Sequence, residues 1–362
     1  QAEKIRQFSS FPEFKRVSED DQWKNWTVAC VDGSYSPAIS ERIGARYGAY
    51  CGGYLIFKGE ELVDEGYQSG TLSQDQVEDP EYTGMILSLL CINLERKIAL
   101  HCLKNEGVDL LLIDGSFFGF RARCSEIRNK EINNGDFVTG GDLVDSVRDK
   151  SIELVNSGKA VGIIKRVHTT ALDGWLLYKH GDESCCMGRN DRSILASLMS
   201  PKSWFAYEWL LGSPGAFNQF TGFRETYRRL VARRRFKGMN SVFKETVRLI
   251  ERDIKRNLNC APDDVLQTAR RYLRCNNSAP PFCFETRKDA DPKPLVAYFQ
   301  AVHNPATGLP FPIDLIDENV SLPRGFTKEF VEEVEALLIR DEELDKIDLS
   351  NYFMYINPQK EE

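Results

Sequence analysis

The hydrophobic and polar positions along the chain fall into short, distinct runs. Residues 1–25 are polar with spaced aromatics, Phe8, Phe11, Phe14 and Trp23, and read as an N-terminal arm that docks elsewhere. From Trp26 the chain turns rich in β-formers, and Trp26-Thr-Val-Ala-Cys-Val31 ends at Asp32-Gly-Ser34. A loop carrying Glu41, Arg42 and Arg46 follows, and then two predicted strands, 47–58 and 61–67, with a turn at Gly59. Residues 69–80 are polar and read as a loop. Residues 82–104 read as one long helix, because Cys91, Leu94, Ile98 and Cys102 recur at spacings of three and four. A short apolar strand over 108–113 again ends in Asp-Gly-Ser, at Asp114 to Ser116. A second helix over 141–157 leads to a buried strand over 160–164, which ends in Lys165-Arg166.

Strands joined by helical crossovers are parallel, whereas the first three strands read as an antiparallel meander. The pattern therefore predicts an α/β fold, a mixed five-stranded sheet flanked by helices. Residues 200–275 read as helix-rich. After the Pro-rich joint Ala279-Pro-Pro281, strand-like pieces return at 282–286 and 295–302. From Phe326 the pattern is that of an acidic amphipathic helix and a tail. The resulting division is an arm (1–25), the first part of a core (26–200), a helical basic insertion (201–280), the core's completion (281–325), and the acidic helix and tail (326–362).

Composition narrows the class only a little. The 362 residues are 42% hydrophobic and 28% charged, which excludes wholesale disorder and a fibrous chain. The longest nearly apolar run, 85–94, has about half the length of a bilayer span, and no charged-then-apolar leader is evident. The ten cysteines include no Cys-x-x-Cys pair and the four histidines are scattered. Reduced thiols in a cytoplasmic protein, without a zinc site, are expected. The net charge of −7 argues against nucleic acid as a partner, but its distribution reverses that reading. Residues 224–256 hold twelve basic residues against four acidic ones. Arg228, Arg229, Arg233, Arg234, Arg235 and Lys237 are the candidates for gripping a DNA backbone. The aromatics among them, such as Phe223 and Phe243, read as core rather than as stacking platforms.

The candidate chemistry lies at strand ends. Asp-Gly is ordinary turn chemistry, but two such triplets at the carboxyl ends of core strands put Asp32 and Asp114 where open α/β sheets carry their sites. Glu95 has Cys91, Ile98, Ala99 and Cys102 as helical neighbours, so it lies within the apolar face, where a carboxylate needs a partner or a metal. Three such carboxylates suit hard divalent cations, Mn²⁺ or Mg²⁺. Two ions about 3.5–4 Å apart can activate water and stabilise a leaving oxygen at a phosphodiester. Lys165, at the next strand end, is placed to meet the phosphate's charge.

These pieces resemble the NurA nuclease family of archaea and bacteria. The matching residues are Val31 to Ser34, Glu95 leading to Leu111–Ser116, Gly162 to Lys165, and Asn190-Asp-Arg192. The segment from Leu309-Pro-Phe-Pro-Ile313 to Ile316-Asp317 resembles a Tyr-Pro-x-Pro-Leu segment ending in Ala-His, with Leu309 at the tyrosine and Asp317 at the histidine. The resemblance implies an RNase H-like core akin to the PIWI domain. It implies a Mn²⁺-dependent DNA nuclease, both 5′→3′ exonuclease and single-strand endonuclease, with Asp317 taking the histidine's ligand role. It also implies a homodimer around a DNA channel that works with the hexameric translocase HerA, in DNA-end processing or anti-phage defence. A DNA-binding clamp on a translocase, with a degenerate nuclease site, is the alternative from another class. An RNase H-like enzyme acting on RNA or a hybrid is a third reading.

Overall fold

The computed structural model describes residues 14–340, apart from 44, 76–78 and 133, together with 353 and 354. Its strands are β1 (Lys15–Arg16), β2 (Thr27–Tyr35), β3 (Ser40–Glu41), β4 (Arg46–Lys58), β5 (Glu61–Gln74), β6 (Leu110–Asp114), β7 (Ala160–Ile164), β8 (Ser203–Ala206), β9 (Thr268–Arg274) and β10 (Phe282–Arg287). The main helices are α1 (Pro80–Asn105), α2 (Gly140–Asn156), α3 (Ala171–His180), α4 (Asp191–Leu198), α5 (Phe217–Thr221), α6 (Phe223–Ala232), α7 (Met239–Leu258), α8 (Lys293–Ala301), α9 (Phe311–Val320) and α10 (Phe326–Arg340).

The strands form one mixed sheet in the order β1-β8-β9-β10-β7-β6-β2-β4-β3, with β5 also paired to β4. The five strands expected from the sequence lie side by side at one end of it, β5-β4-β2-β6-β7. The sheet then continues through four antiparallel strands, so it has ten strands rather than five. Strands β2, β6 and β7 are parallel neighbours, while β4 runs antiparallel to β2 and β5 to β4. Leu110-Leu-Leu-Ile113 and Ala160-Val-Gly-Ile-Ile164 are buried throughout, as parallel strands covered on both faces require.

Helices α1 and α2 cover one face through Ile86, Leu90, Ile98, Leu143, Val147 and Leu154. The Asp79 side chain caps α1 at Glu81 N, and Pro80 takes the first helical position, where no backbone donor is lost. Thr139 and Asp142 close α2 with a reciprocal capping box. Helices α8 and α9 cover the opposite face with Trp23, Phe284, Phe299, Ile313 and Ile316. A third apolar cluster joins α3, α4, α5 and α6 to β8, β9 and β10 through Leu172, Leu195, Phe205, Phe217, Phe223 and Tyr272.

Three expectations need correction. Residues 69–74 belong to β5 rather than a loop, because β4 offers a backbone partner all the way to Arg46↔Gln74. Ladder hydrogen bonds carry this mostly exposed strand through Ser69-Gly-Thr71, where no apolar alternation marks it. Residues 295–302 are mostly helix α8 rather than a strand, and Pro294 stands in its first turn. Val296, Ala297, Tyr298 and Phe299 are all buried, and so short an apolar run cannot be told from a strand by periodicity. The stretch 201–280 is not all helical, since β8 opens it and β9 closes it within the main sheet. The arginines of β9 hid that strand, and they are internally paired: Arg271 bonds Glu208 at 2.8 Å, and Arg274 bonds the carbonyls of Ala196 and Met199.

The N-terminal arm pairs β1 with β8, lays Phe14 against Phe205 and buries Trp23. Phe8 and Phe11 lie outside the described residues, as does most of the tail after α10. No helix among the described residues is long and apolar enough to cross a membrane.

Candidate active site

Val31 of β2 stands opposite Ile113 of β6, so the next residues, Asp32 and Asp114, leave the parallel pair side by side. Both continue the face formed by Cys30 and Leu112, beneath α8 and α9, as the two-residue period of a strand dictates. Helix α9 packs across β2 and brings Asp317 to the same place. Carboxylate oxygens of Asp32, Asp114 and Asp317 all lie within 4.8 Å of one another. Lys165 follows β7, whose Ile163 pairs with Asp114, and its Nζ is 3.1 Å from both Asp114 Oδ2 and Asp317 Oδ2. Two glycines permit this closeness. A Cβ on Gly33 would meet Cys91 Sγ at 2.9 Å, where β2 passes α1, and one on Gly162 would meet Gly115 O at 2.5 Å.

Glu95 approaches from α1 and is a fourth carboxylate outside that triad. It is buried, as its place in the apolar stripe requires, and Arg96 Nη1 bonds its Oε1 at 2.5 Å. Four acidic groups in so little water cannot all ionise cheaply. Burial, then the charges of Asp114 and Glu95, push the Asp32 carboxyl up to about 9. Burial likewise raises Glu95 to about 7, with Arg96 opposing. Asp114 is raised by burial against the pull of Lys165. Lys165 itself ends above its usual range, because Asp114 and its neighbours outweigh the burial that would lower it.

Sequence reasoning missed Arg96, Glu285 and Arg270 among the residues that hold these groups, and named Asp191, Arg192 and Leu309 only as part of the family resemblance. Arg96 ties Glu95 to the loop after β6 through a second bond, Nη2 to Ser116 O at 3.2 Å. Its signal was present, since a carboxylate within an apolar stripe demands a cation within reach. Glu285 of β10 accepts from Ser116 Oγ at 2.5 Å, from Phe117 N at 3.2 Å and from Thr268 Oγ1 at 2.7 Å. Arg270 of β9 bonds Ser116 Oγ at 2.9 Å. Arg192 bonds Lys165 O at 2.6 Å and Pro281 O at 2.8 Å, and so fixes the end of β7. Asp191 is buried and accepts from the backbone of Ala171 and Leu172, where it caps α3. Leu309 packs into the cluster under α8 and α9.

The basic region folds as α6, an exposed turn and α7. Arg233, Arg234, Arg235 and Lys237 are all exposed in the turn, with Arg234 in the left-handed region (φ 54°). Arg228 pairs with Glu183, which also holds Arg224, and Arg229 is half-buried. Along α7, Lys244, Arg248, Arg252, Lys255 and Arg256 are exposed at spacings of three and four, opposite the buried Val242, Thr246, Ile254 and Leu258. The result is a cationic stripe along α7 about 18 Å long, from Lys244 to Arg256. Phe223 and Phe243 pack in the third apolar cluster, while Phe236 is exposed and meets Tyr227 edge-on.

The donor set of the acidic site contains only carboxylate oxygens, the ligand type of Mg²⁺ and Mn²⁺. The upward push on Asp32 fits that assignment, since a divalent cation would relieve the crowding of negative charge that causes it. Asp32, Asp114 and Asp317 are the residues that could hold it, with Glu95 next to them.

No family model matches the chain, and no curated protein does. Among solved structures, the NurA nuclease from Sulfolobus solfataricus superposes over 95% of this chain and 92% of its own, with a TM-score of 0.55 and 14% identity. A second NurA structure covers 96% of each chain with a TM-score of 0.49 and 10% identity. Endonuclease V from Bacillus subtilis covers 91% of this chain and 90% of its own with a TM-score of 0.34 and 13% identity. The chain therefore has a NurA-like fold, a mixed α/β sheet flanked by helices, with the acidic site at the carboxyl ends of its parallel strands.

Proposed function

We propose that this protein is a metal-dependent nuclease that hydrolyses DNA phosphodiesters. The observation that carries the reading is the convergence of Asp32, Asp114 and Asp317 within 4.8 Å at the ends of adjacent parallel strands, with Lys165 against them. The fold shared with a NurA nuclease supports it. Asp32, Asp114 and Asp317, with Glu95 beside them, would hold Mn²⁺ or Mg²⁺, as two ions. Bound there, such ions would supply an activated water and Lewis acidity at the phosphate. The carboxylates orient them, and Lys165 meets charge that builds on the phosphate oxygens. Water oxygen bonds to phosphorus as the ester P–O bond breaks, giving a phosphate and a hydroxyl end without a covalent enzyme intermediate. Arg228, Arg229, Arg233, Arg234, Arg235 and Lys237 grip the backbone without reading sequence. The resemblance adds 5′→3′ exonuclease and single-strand endonuclease activities, a homodimer and a HerA-type hexameric translocase as partner.

The test is digestion of 5′- and 3′-labelled single- and double-stranded DNA in Mn²⁺, Mg²⁺ or EDTA, with Asp114→Ala beside the wild type. Cleavage that needs metal and vanishes in the variant is expected, and the label reports polarity. Cleavage that survives the substitution overturns the assignment. A second reading, a DNA clamp with a degenerate site, is favoured by Leu309, whose apolar packing leaves no hydroxyl where the family carries a tyrosine. A clamp would show no Mn²⁺-induced rise in melting temperature, whereas the nuclease would.

A further inference from the structure

Beside the carboxylates, and on the opposite face of the sheet from Asp317, lies a small cationic recess that the hydrolytic chemistry does not use. Its floor is Ser116, two residues past Asp114 and so within about 7 Å of chain from it. Ser116 Oγ donates to Glu285 and accepts from Arg270 Nη2. The Arg270 guanidinium lies 5.0 Å from the Phe217 ring centroid, and its Nε, 3.6 Å from Glu285, has no hydrogen-bond partner. Arg121, in the turn after β6, sits close enough to feel the Arg270 charge, and its nearest acid, Asp253 of α7, is 3.7 Å away. Burial together with Arg270 pulls the Arg121 guanidinium down in spite of Asp253. Glu285, the one carboxylate in the floor, already accepts from Ser116, Phe117 and Thr268. Two guanidinia close enough to repel each other, with counter-charges no nearer than 3.6 Å and partly shared, form a place for an anion. Arg121 and Asp253 also join this recess to the middle of α7, so it lies between the carboxylates and the cationic stripe.

We propose that Ser116, Arg270 and Arg121 bind the backbone phosphate next to the scissile one, and so direct the DNA strand from the carboxylates toward α7. The inference rests on the nuclease reading and adds to it the path of the strand. The partner chemistry is a phosphodiester anion, held bidentately by arginine without base contact.

The experiment is a scan of short single strands in which one linkage at a time is an uncharged methylphosphonate. Each is tested with wild type, Arg121→Gln and Ser116→Ala, by kcat/KM in Mn²⁺ and by equilibrium binding in Ca²⁺. Neutralising the linkage adjacent to the cut should cost wild type about tenfold in both readouts, the scale of one charge-assisted contact. Arg121→Gln should lose a similar factor on ordinary DNA and then be insensitive to that same linkage. Equal sensitivity of wild type and both variants at every flanking linkage overturns the proposal. Should ordinary DNA not be cut in any metal, the nuclease reading fails, while the binding arm still decides whether this recess holds a phosphate.

Discussion

Replacing Asp32 by asparagine should make the metal-free protein more stable while abolishing its use of metal. The carboxyl is pushed from 3.8 to about 9 by burial and by Asp114 and Glu95. A folded-state value above the unfolded one means that the fold binds the proton more tightly. The stability this contributes is complete below about pH 4 and is lost progressively as pH rises toward 9. At pH 7 an isolated group with these values would cost about 4 kcal/mol relative to acid, at 1.36 kcal/mol for each pH unit above 3.8. Because Asp114 and Glu95 share the repulsion, the substitution should recover about 2–4 kcal/mol, and several degrees in melting temperature. The assay is thermal unfolding of wild type and Asp32→Asn from pH 5 to 9, in EDTA and in Mn²⁺. In EDTA the gap between the proteins should widen with pH, and Mn²⁺ should raise the wild type alone. A variant that is no more stable than wild type at pH 8 in EDTA, or one that Mn²⁺ stabilises as well as it does wild type, would refute the reasoning.

Other substitutions test separate parts of the structure. Arg96→Ala leaves Glu95 buried without its cation and should cost about 3 kcal/mol in urea unfolding, whereas adding Glu95→Gln should return part of it. Gly162→Ala sets a methyl 2.5 Å from Gly115 O and should displace Asp114, so that cleavage falls at least tenfold even where the protein remains folded by circular dichroism. Changing Arg233, Arg234 and Arg235 together to glutamine should weaken binding to all DNA sequences alike and reduce the salt slope of log K by about 2 to 3, with the melting temperature unchanged.

The half of the sheet from β5 to β7 and the aspartates Asp32 and Asp114 were legible because their signals are local, whereas Asp317 was named only through the family resemblance. An apolar run that ends in Asp-Gly-Ser states both the strand and where its carboxylate emerges, and Glu95 declared itself by occupying a hydrophobic position in a helix. The outer half of the sheet was not legible, because β8 is only four residues long and β9 carries three arginines whose partners lie elsewhere in the chain. The same reason hid Glu285 and Arg270. Each looks like a solvated strand charge until β10 and β9 bring it beneath Ser116, a contact between residues far apart in sequence. Helix α8 was misread because burial on every side removes the periodicity by which helices are found.

The carboxylates of the candidate site come from opposite ends of the chain. Asp32 belongs to the first long strand, and Asp317 arrives only with α9. During synthesis the N-terminal part emerges first and can begin to fold before α9 exists. A nascent or truncated chain that stops before α9 therefore carries two of the three clustered aspartates and no closed ligand set. On the nuclease reading, a chain that stops before Asp317 would therefore be expected not to cut, because the aspartate cluster of β2, β6 and α9 is not yet closed.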